Sequence, residues 1–163
     1  SYHSPKTPGK TYVYDVATKE KKLVKEEIIP SGHEPENYIV QRIDCNSHDG
    51  KKIPLTITRH KKTRLDGTAN LLLYAYGSYG ASMSPGFSAS RLSLVDRNII
   101  WVTAHIRGGM EKGMGWWKEG KMLNKKNSFK DYITSAKFLI KNKYTSESYF
   151  FSTFSRREHA KQT

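Results

Sequence analysis

The sequence predicts an α/β fold, a sheet that begins antiparallel and continues through strands covered on both faces with a helical crossover. Three observations carry this. Early segments alternate apolar and polar residues, and two later runs, over residues 70–76 and 98–105, are apolar on consecutive positions. Residues 127–142 then change to a helical period.

In chain order, "TYVYDV" at residues 11–16 alternates with period two, and "LVKEEII" follows a charged turn. Together they read as a hairpin or the edge of an all-β unit. "IPSGHEPENY" carries two prolines and a glycine and reads as a linker. The β-rich segments "YIVQRIDCNS" and "KKIPLTITRH" flank Asp49-Gly50, a hairpin signal. Pro54 places its strand at an edge or a bulge, because proline cannot donate to a ladder. "NLLLYAY" and "RNIIWVTAHIRGG" supply the two covered strands, the second ended by Gly108-Gly109. On the helix, Phe129, Tyr132, Ile133, Ala136, Leu139 and Ile140 share one face. Ser128 is its expected cap, with Asp131 three residues on. "YFFSTF" at 149–154 could begin a third buried strand, and "SRREHAKQT" reads as a disordered end.

The 163 residues, 36% of them apolar, suffice for one domain or part of a larger one. Ser1 rather than Met at the start fits an excerpt or a processed piece. No apolar run is long enough to span a bilayer, and no signal pattern opens the chain. The single cysteine, Cys45, cannot close an internal disulfide, and its place on a predicted strand reads as a small packed side chain. A reducing, cytoplasmic compartment fits, with no cofactor and no metal implied. The net charge of +13 raises nucleic acid as a partner. Yet the basic residues are scattered, and the densest run, residues 59–64, lacks interleaved aromatics. Solvated surface is the favoured reading, with neither nucleic acid nor membrane as partner.

A nucleophile elbow needs glycine two before and two after its serine, on a tight strand-to-helix turn. Ser78 in "YAYGSYG" has Tyr76 before it and Gly80 after it, and the downstream "GASMSPGF" is poor helix. Ser88 in "GFSAS" has Ser90 in place of the second glycine and no strand before it. Neither is a nucleophile. At a sheet's carboxyl edge the same glycine turn can instead bring backbone N–H groups or a tyrosine hydroxyl to an oxyanion, or simply be a tight turn with packed tyrosines. "HIRGGMEKGMGWW" places His105, Arg107 and Glu111 around a glycine pair. Arg107 is the candidate for binding a carboxylate or phosphate, His105 for a base, though a lone histidine at a strand end is more often structural. Trp116 and Trp117 pack, or line a substrate pocket.

The ordered set of Tyr76–Gly80, His105–Gly109, Glu111, Trp116, Gly120-Lys121, Lys125, Asn127, Phe129, Asp131–Ile133 and Tyr144–Ser146 resembles the prolyl oligopeptidase family of serine peptidases, most of all its oligopeptidase B branch. The resemblance covers residues 1–148. It implies the last strands of a β-propeller over residues 1–29, a linker over 30–37 and the N-terminal part of an α/β-hydrolase domain over 38–148. Residues 149–163 are left as a non-matching, disordered tail, and the domain as incomplete. It further implies hydrolysis of short peptides, after Arg or Lys in this branch, and makes Tyr76 the oxyanion-hole donor.

Where the family continues into Gly-Gly-Ser-x-Gly-Gly, this chain has no glycine beyond Gly120. The nucleophile position falls near Ser155 or Arg156, and Met110 and Met114 replace residues usually small or basic. An abrupt end to the match is what a frameshift or premature stop produces. The expectation is a peptidase fragment inactive alone, with the strands around Leu72 and Ile100 short of partners. The alternatives are a basic RNA- or partner-binding module, or a half that complements a separately encoded C-terminal half.

Overall fold

The computed structural model describes residues 1–154. The alternating N-terminal segments form an antiparallel three-stranded sheet, β1 (Tyr2–Ser4), β2 (Thr7–Tyr14) and β3 (Lys21–Glu26), in sequential order. Every residue of β3 is exposed, and Val13, Tyr14, Leu23 and Val24 point apolar surface at solvent. A linker with a short 3₁₀ turn at Pro35–Asn37 leads on. His33 fastens it: the ring nitrogen Nε2 lies 2.7 Å from the Lys6 carbonyl, and the ring stacks on Tyr38 at 5.2 Å.

The second sheet contains β4 (Tyr38–Asn46), β5 (Lys52–His60), β6 (Leu71–Ala75), β7 (Ile100–Ala104) and β8 (Phe150–Phe154), in the order β4-β5-β7-β6-β8. The first two form the hairpin expected at Asp49-Gly50, with Gly50 at φ +79° in the turn. β5 pairs antiparallel with β7, and β6 runs parallel to both β7 and β8. Among the described residues three α-helices lie in the crossovers: α1 (Ala89–Val95) between β6 and β7, and α2 (Met114–Lys118) and α3 (Lys125–Lys141) between β7 and β8.

Alternate residues of β6 and β7 explain the consecutive apolar runs. Leu71, Leu73, Ala75, Ile100, Val102 and Ala104 join Ile53, Leu55, Ile57 and Leu139 of α3 in the main core. Each of the Leu, Ile and Val side chains contributes about 1.5–3 kcal/mol on burial. On the opposite face Trp101 packs with Leu92 and Val95 of α1, Tyr38 and Phe87. The register pairs Leu71 with Ile100 and Leu73 with Val102, so large side chains stand opposite each other on one face.

Several sequence expectations change. The strands at Leu72 and Ile100 have neighbours on both sides, and β4 and β8 are the edge strands instead. Phe150–Phe154 is therefore a strand rather than part of a disordered tail, although an edge strand whose three middle residues are exposed. Residues 155–163 lie outside the described residues. Pro54 sits on an inner strand without a bulge; pairing with β7 begins only at Leu55, so no ladder bond is lost. Finally, α3 starts at Lys125, and its buried face is Ser128, Asp131, Ser135 and Leu139, with Phe129 and Ile133 exposed. Ser128 lies inside the helix and does not cap it; its hydroxyl donates to the Arg107 carbonyl at 2.6 Å.

Candidate active site

Because β6 and β7 are parallel, the loops that leave them meet at one carboxyl edge of the sheet, where α/β proteins bind ligands. The first loop, residues 76–80, turns at Gly77 with φ +61°, and the second turns at Gly108 with φ +99°. A Cβ on Gly77 would come within 2.6 Å of the Ile106 side chain, and one on Gly108 within 2.0 Å of the Gly77 carbonyl oxygen. Only glycine permits that contact. The Gly80 N–H then donates to the Gly108 carbonyl at 3.0 Å, joining the loops.

Tyr76 follows β6 directly and is half-buried, its ring centroid 6.5 Å from that of Tyr79. Among the described residues no hydrogen-bond partner meets its hydroxyl, so the phenol remains able to donate to a ligand. Ser78 is differently placed. Its Oγ accepts from Lys125 Nζ at 2.8 Å, and the same ammonium donates to the Gly77 carbonyl at 2.5 Å. Neither an imidazole nor a carboxylate activates Ser78 among the described residues. Ser88 caps α1, its Oγ accepting from the Arg91 N–H at 3.3 Å. Beside the loop lies a cleft of about 370 Å³ lined by Tyr79, Trp117, Lys121, Met122 and Lys125.

Arg107 is a structural cation rather than the substrate-binding group for which it is the sequence candidate. It is 1% exposed, and carboxylates and a hydroxyl take its donors. Nε and Nη2 donate to Asp131 at 2.8 and 2.6 Å, Nη1 to Asp49 at 2.5 Å, and Nη2 also to Ser47 at 3.1 Å. Burial alone would lower the guanidinium's pKa, but Asp131 and Asp49 reverse that and hold it above its ordinary value. Burial likewise pushes the Asp49 carboxyl up, and Arg107 pulls it below its usual range. Asp131 also accepts the backbone N–H of Arg107 at 3.1 Å, so this cluster clamps the 105–109 loop onto α3.

His105 is 2% exposed, with Nε2 2.8 Å from Thr56 Oγ1 and Nδ1 3.7 Å from Glu111. The hydroxyl–imidazole–carboxylate order resembles a triad, but all three groups are enclosed away from the cleft. His105 is thus a packed histidine and not a base for substrate. Glu111 accepts the Met83 N–H at 2.9 Å; burial raises its carboxyl, while His105 and that N–H bring it below its ordinary value. Trp116 is buried and donates to the His105 carbonyl at 3.0 Å, whereas Trp117 lines the cleft. Cys45 is 1% exposed, and burial raises its thiol. Among the described residues no three His, Cys, Asp or Glu side chains converge as metal ligands, and no helix is long and apolar enough to cross a membrane. The nucleophile position near Ser155 or Arg156 lies outside the described residues.

Sequence reasoning missed Asp49, which reads as a turn residue, and the loop contact of Lys125. The available signal was the stripe Ser128, Asp131, Ser135, a small-polar row at helical spacing that fits only a polar partner.

This sheet and its two glycine-bearing loops are those of an α/β-hydrolase. Residues 85–152 match the prolyl oligopeptidase family model. Over 148 residues the chain is 43% identical to dipeptidyl aminopeptidase BI of Pseudoxanthomonas mexicana, covering 90% of this chain and 20% of that protein. Over 145 residues it is 37% identical to protease 2 of Moraxella lacunata, covering 89% of this chain and 21% of that protein. The structure of oligopeptidase B from Leishmania major superposes with a TM-score of 0.86 at 37% identity, over 94% of this chain and 21% of that one. Over the residues these comparisons cover, the chain is consistent with a fragment of a prolyl oligopeptidase family member. It spans about a fifth of the length of these relatives, which are serine oligopeptidases joining a β-propeller to an α/β-hydrolase domain. Against these neighbours the chain is a mixed α/β fragment.

Proposed function

We propose that this chain forms the oxyanion side of a serine oligopeptidase active site. The Tyr76 hydroxyl would donate to the oxygen that becomes negative when a serine attacks a peptide carbonyl. The observation that supports this is its position: an unpartnered phenol at the carboxyl end of β6, on a loop held rigid by Gly77 and Gly108. Such a donor stabilises the tetrahedral intermediate more than the substrate, which is what lowers the barrier. The substrate class is short peptides cut after Arg or Lys, in keeping with similarity to oligopeptidase B, and the compartment is the cytoplasm.

No accessible Ser–His–acid group stands among the described residues, so the covalent steps need a nucleophile and base from outside them. A separately encoded complementing half is a second source for these. It is favoured by the open edge of β8 and by exposed Phe129, Ile133 and Phe151. Two assays with a chromogenic Arg-containing peptide test the proposal. The 163-residue chain alone is expected to give no turnover. A chimera in which residues 38–154 replace the corresponding stretch of the Moraxella protease 2 is expected to cleave it. Turnover by the chain alone, or an inactive chimera, would contradict the reading.

A further inference from the structure

We propose that Lys125 is a positioning residue for the oxyanion tyrosine, acting through the backbone of the loop that carries it; this rests on the function proposed for Tyr76. Lys125 is the first residue of α3, and its ammonium reaches across to the Gly77 carbonyl and the Ser78 hydroxyl. Both anchors lie within two residues of Tyr76. The other side of the loop is held by the Gly77–Gly108 contact and by the Gly80 N–H on the Gly108 carbonyl. The loop is therefore gripped between the 105–109 turn and α3.

Charge-assisted bonds from an ammonium to a carbonyl and a hydroxyl are stronger than neutral ones and fix the Gly77–Ser78 peptide plane, one residue beyond Tyr76. The arrangement also assigns Ser78 a role. Its hydroxyl is the second acceptor of the grip, which requires an oxygen at that position and no nucleophilicity. The ammonium further puts positive charge on the wall of the cleft beside the loop.

Hydrogen exchange in the full 163-residue chain tests the grip directly. The reporters are the amides of Gly80 and Ala81, bonded to the Gly108 and Ser78 carbonyls, with β7 as internal reference. Lys125→Met is expected to speed exchange at the reporters by about tenfold or more while β7 is unchanged. Lys125→Arg, which keeps the donors, is expected to restore much of the protection. Unchanged reporters, or equal acceleration in β7, would overturn the grip.

Kinetics of the protease 2 chimera test the link to Tyr76. Lys125→Met is expected to lower kcat roughly tenfold to a hundredfold with KM little changed, and to add little when Tyr76 is already Phe. A full additional loss in the Tyr76→Phe background shows that Lys125 acts elsewhere and overturns the positioning role. If Tyr76→Phe itself changes nothing, the oxyanion reading fails, and the exchange result alone decides the grip.

Discussion

At the scale of single residues, the site is defined by what its polar groups are already bonded to. Arg107 and Tyr76 make the contrast. Both stand after strand ends in glycine-rich motifs, and both read from sequence as ligand-facing. The arginine turns inward because Asp131 on α3, which is buried, and Asp49 in the hairpin turn, which is partly solvent-exposed, supply carboxylates, a pairing between segments far apart in sequence. The tyrosine hydroxyl has no such partner among the described residues. Arg107→Met is therefore expected to cost about 3–5 kcal/mol, by leaving Asp131 buried and unpaired, as a denaturant-unfolding series would measure. Acid should act through the same kind of group. Glu111 has a folded pKa below its ordinary 4.5, so its contribution to stability is complete above that value and is lost as pH falls through the folded pKa. Melting temperature should drop below about pH 4.5, with a shallower acid slope in Glu111→Gln.

Among the elements, strands were more legible than the helix. Consecutive apolar residues mark β6 and β7 because both faces are covered, and Asp49-Gly50 marks the hairpin because its turn needs a positive φ. The helix misled for a physical reason. Of its expected apolar face Leu139 is buried and Tyr132 and Ala136 pack against the core, but Phe129 and Ile133 are exposed, while Ser128, Asp131 and Ser135 face inward to hold the Arg107 loop. An apolar-face rule cannot find a buried face whose partner is a peptide carbonyl and a guanidinium. Ser128→Ala adds no bulk and removes the donor to the Arg107 and Gly120 carbonyls. It is expected to destabilise by about 1–3 kcal/mol, measured as a shift in the unfolding midpoint. Leu139→Ala, in the same stripe but against the aliphatic core, is expected to cost about 2–5 kcal/mol through the cavity it leaves.

The whole molecule joins a three-stranded sheet whose last strand is exposed to a mixed sheet with edge strands β4 and β8. Exposed Val13 and Val24 lie on the first sheet, Phe151 on β8 and Phe129 and Ile133 on α3. Apolar surface and an unpaired strand edge of this kind favour association. The order β4-β5-β7-β6-β8 could not be read from sequence, because strand order depends on crossovers and not on residue pattern. The motif order did lead to the family that the comparisons match. What it left open is whether the loop after β6 performs chemistry. The most direct measurement is kcat of the protease 2 chimera carrying residues 38–154, with Tyr76 and with Tyr76→Phe, on an Arg-containing chromogenic peptide. A fall in kcat of about 10²–10³ at nearly constant KM is the result expected for a lost oxyanion donor. Equal kcat values in the two proteins would contradict that role for Tyr76.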